Sequence, residues 1–312
     1  MARKPQRYDM KFYIADAFTE KLFGGNPAGV VLLDNATDFP ADEIMKKTAA
    51  ELRYSETAFI KKISDTVFNI RYFTPAGEVD LCGHATIASF RCLLDAELVK
   101  KGCTYINKTL AGNLEIKVND NFIMMEMAPP QHISTIKNEE EITELYHVMG
   151  IDPESVMASV TPSSHIRLFP MLISTGLPDI MMPVASKEKL NAIKPDFPRL
   201  SGLSEKYNVT GVHAFALNSE SGDITAYCRN FAPLYDIDEE AATGTANGAL
   251  TYYLYKHGLI NSGDSSTFIQ GESMDRPSAV ISHISEASSG INEISICVGG
   301  NAAILAKGDI YI

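Results

Sequence analysis

The sequence predicts an α+β protein of two similar halves, each with several strands and one long helix. Short apolar runs of strand type dominate the chain. Two helices end on the same kind of stop signal, and local motifs recur at nearly half the chain length. The 312 residues match two domains at about 150 residues each, enough to bury a sizeable core without disulfide or metal staples.

Phe12 to Phe18 and Ala28 to Leu33 read as strands joined through a Gly24-Gly25-Asn26-Pro27 turn. Ala41 to Arg53 carries Ile44, Thr48 and Leu52 at helical spacing, with Asp38 or Asp42 as the start signal. Thr57 to Ile63 and Val67 to Phe73 read as paired strands around Ser64-Asp65. Ala85 to Lys101 is the clearest helix, with Ile87, Phe90, Leu94 and Leu98 on one face and Lys100-Lys101-Gly102 as its stop. A second helix begins after Gly244-Thr245 and runs through Leu250, Tyr253 and Leu254 to Lys256-His257-Gly258.

The stretches before these helices also match. Arg71-Tyr-Phe-Thr-Pro75 resembles Arg229-Asn-Phe-Ala-Pro233, an offset of 229 − 71 = 158. Ala58-Phe59 matches Ala214-Phe215 at 214 − 58 = 156, and Gly83 matches Gly244 at 244 − 83 = 161. Their shared order points to internal duplication. The boundary is expected at Ala128-Pro129-Pro130, where an alternating strand from Ile123 to Met127 stops and polar Asn138 to Glu144 opens a helix. The domains are therefore 1–128 and 129–312, with the last strand able to return to the first.

The formal charge of −12, from 27 basic and 39 acidic residues, disfavours nucleic acid and anionic membrane surfaces as partners. No apolar run approaches the ~18 residues of a spanning helix. Met1 to Arg7 is basic but leads into Tyr8-Asp9-Met10-Lys11 instead of a signal-type apolar core. Five cysteines without a CxxC pair suit a reducing cytoplasm, the expected location. Phosphate-loop, dinucleotide and GxSxG motifs are absent, and the seven histidines form neither HExxH nor HxH, so the sequence offers no metal site.

Polar residues beside the two repeated turns are the remaining candidates. Leu81-Cys82-Gly83-His84 enters the first helix and Ala242-Thr243-Gly244-Thr245 the second. Uncapped N–H groups and a positive dipole end at such turns favour an anion such as a carboxylate. The competing reading is that both are capping signals; the matched pair favours a site, with both helix ends expected to converge on one cleft between the halves. Glu56 precedes an apolar run and reads either as an exposed edge glutamate or as a catalytic carboxylate. Asp236, Asp238, Glu239 and Glu240 form an acidic run leading into the second turn. Cys82 is either a thiol activated by a helix N-terminus or a buried filler.

These residues also carry a family pattern. Asp16-Ala-Phe, Gly25-Asn-Pro-Ala-Gly-Val, Ser55-Glu-Thr-Ala-Phe, Arg71-Tyr-Phe-Thr-Pro and Glu78-Val-Asp-Leu-Cys-Gly-His-Ala-Thr86 appear in order. Asn230-Phe-Ala-Pro, Glu240-Ala-Ala-Thr-Gly-Thr-Ala, Gln270-Gly and Arg276-Pro-Ser follow. The chain resembles PhzF-like phenazine-biosynthesis proteins, which share the diaminopimelate epimerase fold. That resemblance implies two pseudo-symmetric α+β domains, each a curved, mainly antiparallel sheet wrapped round a central helix. It implies a cofactor-free isomerase or epimerase that moves a proton on a small carboxylate in an interdomain cleft. Glu56 takes the place of the general acid/base, His84 of the family histidine, Glu240 of the second acid and Thr245 of the hydroxyl residue. Asn26, Cys82, Gly83, Gly244 and Thr245 are then expected to touch substrate.

The chain departs from the pattern at Glu240, commonly aspartate in the isomerase, and at Thr245, which replaces serine. Thr243 stands where diaminopimelate epimerase has its second cysteine, which excludes the usual two-thiol mechanism. A one-thiol epimerase pairing Cys82 with Glu56 is a further reading. A different class remains open, a ligand-binding or regulatory module without turnover, because fold does not imply function. A general base working near neutral pH leads to the expectation that burial raises the pKa of Glu56. An acidic surface with sheet edges is compatible with a symmetric homodimer.

Overall fold

This computed structural model describes residues 9–34, 37–120, 122–152, 160–161, 164–218, 222–286 and 294–312, with backbone alone at 9, 160, 161 and 164–166. Met1 to Arg7 and the side chain of His165 lie outside the described residues. The chain forms two compact units: Met1–Met125 with Gly299–Ile312, and Glu126–Val298.

The first unit opens with β1 (Asp9–Ala17), β2 (Asn26–Leu32), α1 (Asp42–Leu52), β3 (Thr57–Lys62) and β4 (Val67–Phe73). It continues through β5 (Glu78–Val79), α2 (Gly83–Asp95), β6 (Cys103–Thr109), β7 (Gly112–Val118) and β8 (Ile123–Glu126), whose last residue enters the second unit. The second unit begins with β9 (Gln131–Thr135), α3 (Glu139–Val148) and the short hairpin β10 (Val160–Thr161) and β11 (Ser164–Arg167). Then come β12 (Met171–Ser174), β13 (Pro178–Pro183), α4 (Lys187–Asn191), α5 (Phe197–Tyr207), β14 (Gly211–Leu217) and β15 (Ala226–Ala232). It closes with β16 (Ile237–Glu240), α6 (Gly244–Lys256), β17 (Ser265–Gln270), β18 (Ser278–Glu286) and β19 (Ile294–Gly300), before β20 (Ala302–Tyr311) rejoins the first unit.

The duplication extends to strand pairing. In the first unit β1–β2, β3–β4, β4–β5 and β6–β7 are antiparallel, whereas β2–β3 and β4–β6 are parallel. The second unit repeats this order with β12–β13, β14–β15, β15–β16 and β17–β18 antiparallel, and β13–β14 and β15–β17 parallel. One strand of each pattern comes from elsewhere in the chain: β20 pairs with β1, and β9 pairs with β12. Arg71 makes a two-pronged ion pair with Glu78 at 2.7 and 2.5 Å, and Arg229 repeats it with Glu239 at 2.8 and 2.7 Å. Glu239, read only as part of an acidic run, is therefore a structural partner.

Two details of the repeat differ from expectation. Phe59 lies opposite Arg71, and Ala214, not Phe215, lies opposite Arg229. The Ala58-Phe59 match is thus one residue out of register, and in a strand one residue exchanges the two faces. The first helix also stops at Asp95, well before Lys100-Lys101-Gly102. Glu97 turns left-handed at φ 58°, and the Leu98 N–H returns to Leu93 O at 2.9 Å, closing the helix with a Schellman-type bond. Gly102, at φ 74°, serves the turn into β6 instead.

Both long helices are buried almost all round, so they read as unit cores and not as one-sided amphipathic helices. Helix α2 packs on β1, β2, β3 and β20, and α6 on β12, β13 and β18. Helix α1 spans Asp42–Leu52 as expected, but Met45, Thr48 and Ala49 form its buried face. At α3, Asn138 caps the helix by accepting the N–H groups of Glu140 and Glu141. Among the described residues no helix is long and apolar enough to cross a membrane.

Candidate active site

The first unit gathers Asn26, Ser55, Glu56, Cys82 and His84 around the N-terminus of α2. The β1–β2 connection delivers Asn26. Gly25 sits there at φ 60°, where an added Cβ would lie 2.0 Å from the Ala17 carbonyl oxygen, so only glycine permits the close return. Glu56 immediately precedes β3, and Cys82 is the N-cap residue of α2.

His84 is the centre of this cluster. Its Nδ1 lies 3.1 Å from Asn26 Nδ2 and 3.4 Å from Cys82 Sγ. Its Nε2 lies 3.2 Å from Glu56 Oε2 and 3.3 Å from Ser55 Oγ. With Asn26 donating to Nδ1, the neutral ring carries its proton on Nε2, facing Ser55 and Glu56. The side chains of His84 and Glu56 are 3% and 15% exposed, so the pair interacts in a poorly solvated setting.

Burial by itself would raise the pKa of Glu56, but hydrogen bonding and charge from His84 outweigh it and hold the carboxylate below its usual 4.5. That reverses the sequence expectation: the neighbour matters more than the burial. Burial likewise opposes the imidazolium, yet Cys82 and Glu56 lift His84 well above the usual 6.5. Burial pushes the Cys82 thiol up to about 11, with Glu56 adding to the shift. Cys82 is buried, as its second reading has it.

The second unit builds a different cluster at the equivalent turn. Thr243 Oγ1 donates to Glu240 Oε2 at 2.6 Å. Gln270 organises the turn: its Oε1 accepts from Thr243 N at 3.2 Å and Asn247 Nδ2 at 2.8 Å. Its Nε2 donates to the Glu240 carbonyl at 2.8 Å and Thr243 Oγ1 at 3.1 Å. Gly244 opens α6, and Thr245 is half-buried, its carbonyl accepting from Thr175 Oγ1 at 2.8 Å.

Neither N-cap residue, Cys82 or Thr243, makes a side-chain cap bond, and neither helix has an acid in its first turn. At the second turn the Thr243 N–H is instead taken by Gln270 Oε1 at 3.2 Å. Within the first unit, Asn26, Glu56, Cys82, Gly83 and His84 are brought together; within the second, Glu240, Gly244 and Thr245 are. The exposed-edge reading of Glu56 is not met. Ser55, Gln270 and Asn247 had no assigned role. Asn247 carried a legible signal, an amide between Ala246 and Gly248 inside an otherwise apolar helical stretch. The sequence shows no metal motif, yet the ligand-type atoms of Glu56, Cys82 and His84 all lie within 4.8 Å of one another.

The family model for phenazine biosynthesis-like proteins, PhzC-PhzF, matches residues 15–308. An uncharacterized isomerase of Clostridium acetobutylicum is 33% identical, over 96% of this chain and 97% of its own. The Bacillus anthracis phenazine biosynthesis protein of the PhzF family, a crystal structure, aligns with TM-score 0.83 at 26% identity, covering 97% of this chain and 99% of its own. A hydroxyproline epimerase from Agrobacterium vitis shares the fold at TM-score 0.63 and 12% identity, covering 97% of this chain and 91% of its own. A match of that extent, in sequence and in fold, makes this chain a member of the phenazine biosynthesis-like PhzC-PhzF family.

Proposed function

We propose that this enzyme of the isomerase class moves a proton on a small carboxylate substrate, using Glu56 as general base and acid and no cofactor. One observation carries the reading: a largely buried carboxylate stands 3.2 Å from the Nε2 of a histidine held on its other side by Asn26. Relatives named as isomerases support the class.

Glu56 Oε2 takes a proton from a carbon next to the substrate's electron-withdrawing group. The charge left on the substrate is stabilised by the His84 N–H and the N-terminal amides of α2. Protonated Glu56 then returns the proton to a second carbon. A single base favours such a shift between carbons over inversion at one carbon, which needs a second acid. By resemblance to the family, Glu240 is proposed as a second acid and Thr245 as a substrate-contacting hydroxyl. Glu240 is one methylene longer than the usual aspartate, which gives this chain a pocket of its own shape.

The test incubates the protein in D₂O with a panel of amino, hydroxy and unsaturated acids and follows deuterium incorporation at carbon by mass spectrometry. For an acid that exchanges, Glu56→Gln should lower the rate by about 10²–10⁴-fold while leaving the thermal melt intact. A Glu56→Gln protein that exchanges at the wild-type rate would overturn the assignment. Glu240→Gln should slow epimerisation more than shift between carbons.

A further inference from the structure

We propose that Glu56, Cys82 and His84 form a site for a zinc-type divalent cation, with three protein ligands and one open position. The ligand-type atoms of all three lie within 4.8 Å of one another. His84 Nε2 is 3.2 Å from Glu56 Oε2 and 3.8 Å from Cys82 Sγ. Zinc bonds of about 2.0–2.3 Å in tetrahedral geometry separate neighbouring ligand atoms by roughly 3.3–3.7 Å. The two separations from His84 straddle that range, and with Glu56 and Cys82 within 4.8 Å of each other an ion would draw the three side chains together around it.

A second observation separates this arrangement from an ordinary hydrogen-bonded cluster. Glu56 Oε2 is buried, and among the described residues no hydrogen-bond donor is aligned on it. The Nε2 of His84 stands 3.2 Å from it as its charge partner, and an ion would take the place of the proton between them. The other ring nitrogen is 3.1 Å from Asn26, so the ion would bind at Nε2 and displace its contact with Ser55 Oγ at 3.3 Å. Turning the Asn26 amide would offer its oxygen to Nδ1–H, the outer contact that metal-bound histidines use.

Thiolate, imidazole and carboxylate together select zinc-like ions over magnesium or calcium, which prefer all-oxygen sites. Binding replaces the S–H bond of Cys82 with an S–metal bond and the Nε2–H bond of His84 with an N–metal bond, and both protons leave to solvent. The ion would hold the oxygen that Glu56 needs for proton transfer, making the metal an inhibitor. Cation binding requires no turnover, so its failure leaves the catalytic reading of Glu56 untouched, and the reverse also holds.

The experiment titrates Co²⁺, as a spectroscopic stand-in, into the reduced full-length chain. One equivalent should produce a thiolate-to-cobalt charge-transfer band that Zn²⁺ abolishes by displacement. Cys82→Ala should remove the band and weaken binding by at least about tenfold. Glu56→Gln should keep the band with weaker affinity, and Cys103→Ala, at an exposed cysteine, should change nothing. A wild-type protein without the band, or a band that survives Cys82→Ala, overturns the proposal.

Discussion

Asp179 and His213 are two buried titratable side chains that the proposed chemistry does not use directly. Burial, with the charge of Glu240 adding to it, pushes Asp179 from 3.8 up to about 7. Burial pushes His213 from 6.5 down to about 3. His213 Nδ1 lies 3.3 Å from Asn230 Nδ2, and Asn230 also bonds Asp179, so the two share one buried network. Their effects on stability have opposite signs. Between pH 3.8 and 7 folded Asp179 holds a proton that the unfolded chain releases, so its contribution declines as pH rises. Between pH 3 and 6.5 folded His213 lacks a proton that the unfolded chain binds, so its contribution declines as pH falls. Over the shared window, from about pH 4 to 6.5, these slopes of up to about 1.4 kcal/mol per pH unit nearly cancel. Asp179→Asn should therefore make stability rise more steeply with pH across that window, and His213→Asn should make it fall. Urea denaturation at half-unit pH steps measures both slopes, and parallel profiles for the two variants would contradict this account.

The paired helices differ instructively at their C-termini. Each ends with the same return bond, Leu98 N–H to Leu93 O at 2.9 Å and Leu259 N–H to Leu254 O at 3.0 Å. The left-handed residue enclosed by that bond is Glu97 in the first helix and Gly258 in the second, at φ 58° and 64°. A side chain in this conformation costs about 1–2 kcal/mol, whereas glycine gives back about 0.5–1 kcal/mol through its freer unfolded state. Glu97 is exposed, and a Cβ on Gly258 would meet nothing within 4 Å, so packing hardly enters either balance. Glu97→Gly should stabilise by about 0.5–1 kcal/mol and Gly258→Glu should destabilise by a similar amount. Opposite shifts in urea midpoint at unchanged slope are the expected result.

At the scale of the molecule, the first unit is completed by the last residues of the chain. Strand β1 lies between β2 and β20, with Asp9 opposite Tyr311 and Ala17 opposite Ala302. Without β20, β1 would expose an edge of unpaired backbone groups together with the buried Met10, Tyr13 and Ala15. A fragment of residues 9–125 should therefore fail to fold cooperatively. Because β20 runs antiparallel to β1, residues 299–312 joined through a short turn to residue 9 should restore a cooperative melt. A fragment 9–125 that melts sharply by itself would show β20 to be dispensable.

Periodicity and turn residues in the sequence determined β1 to β4, α1, the two long helices and the start of α3, motif recurrence pointed to the duplication, and the family resemblance picked out Glu56, His84 and Glu240 beside the helix entrances. These are local or repeated signals: Gly25 needs its turn, Asn138 caps its helix, and Arg71 and Arg229 precede matching glycine turns. Register was less legible. The Ala58-Phe59 match slipped by one because alanine and phenylalanine suit either face of a buried strand, and only pairing with Arg71 and Arg229 chooses between them. The helix end at Asp95 was hidden because Glu97 adopts a backbone conformation that composition assigns to glycine. Protonation was least legible of all. Glu56 and His84 are 28 residues apart in the chain, and only folding sets the 3.2 Å contact that makes one hold its charge and the other its proton. Chemistry of that kind depends on distance and solvent exclusion, and both arise from tertiary packing, not from the residues taken in order.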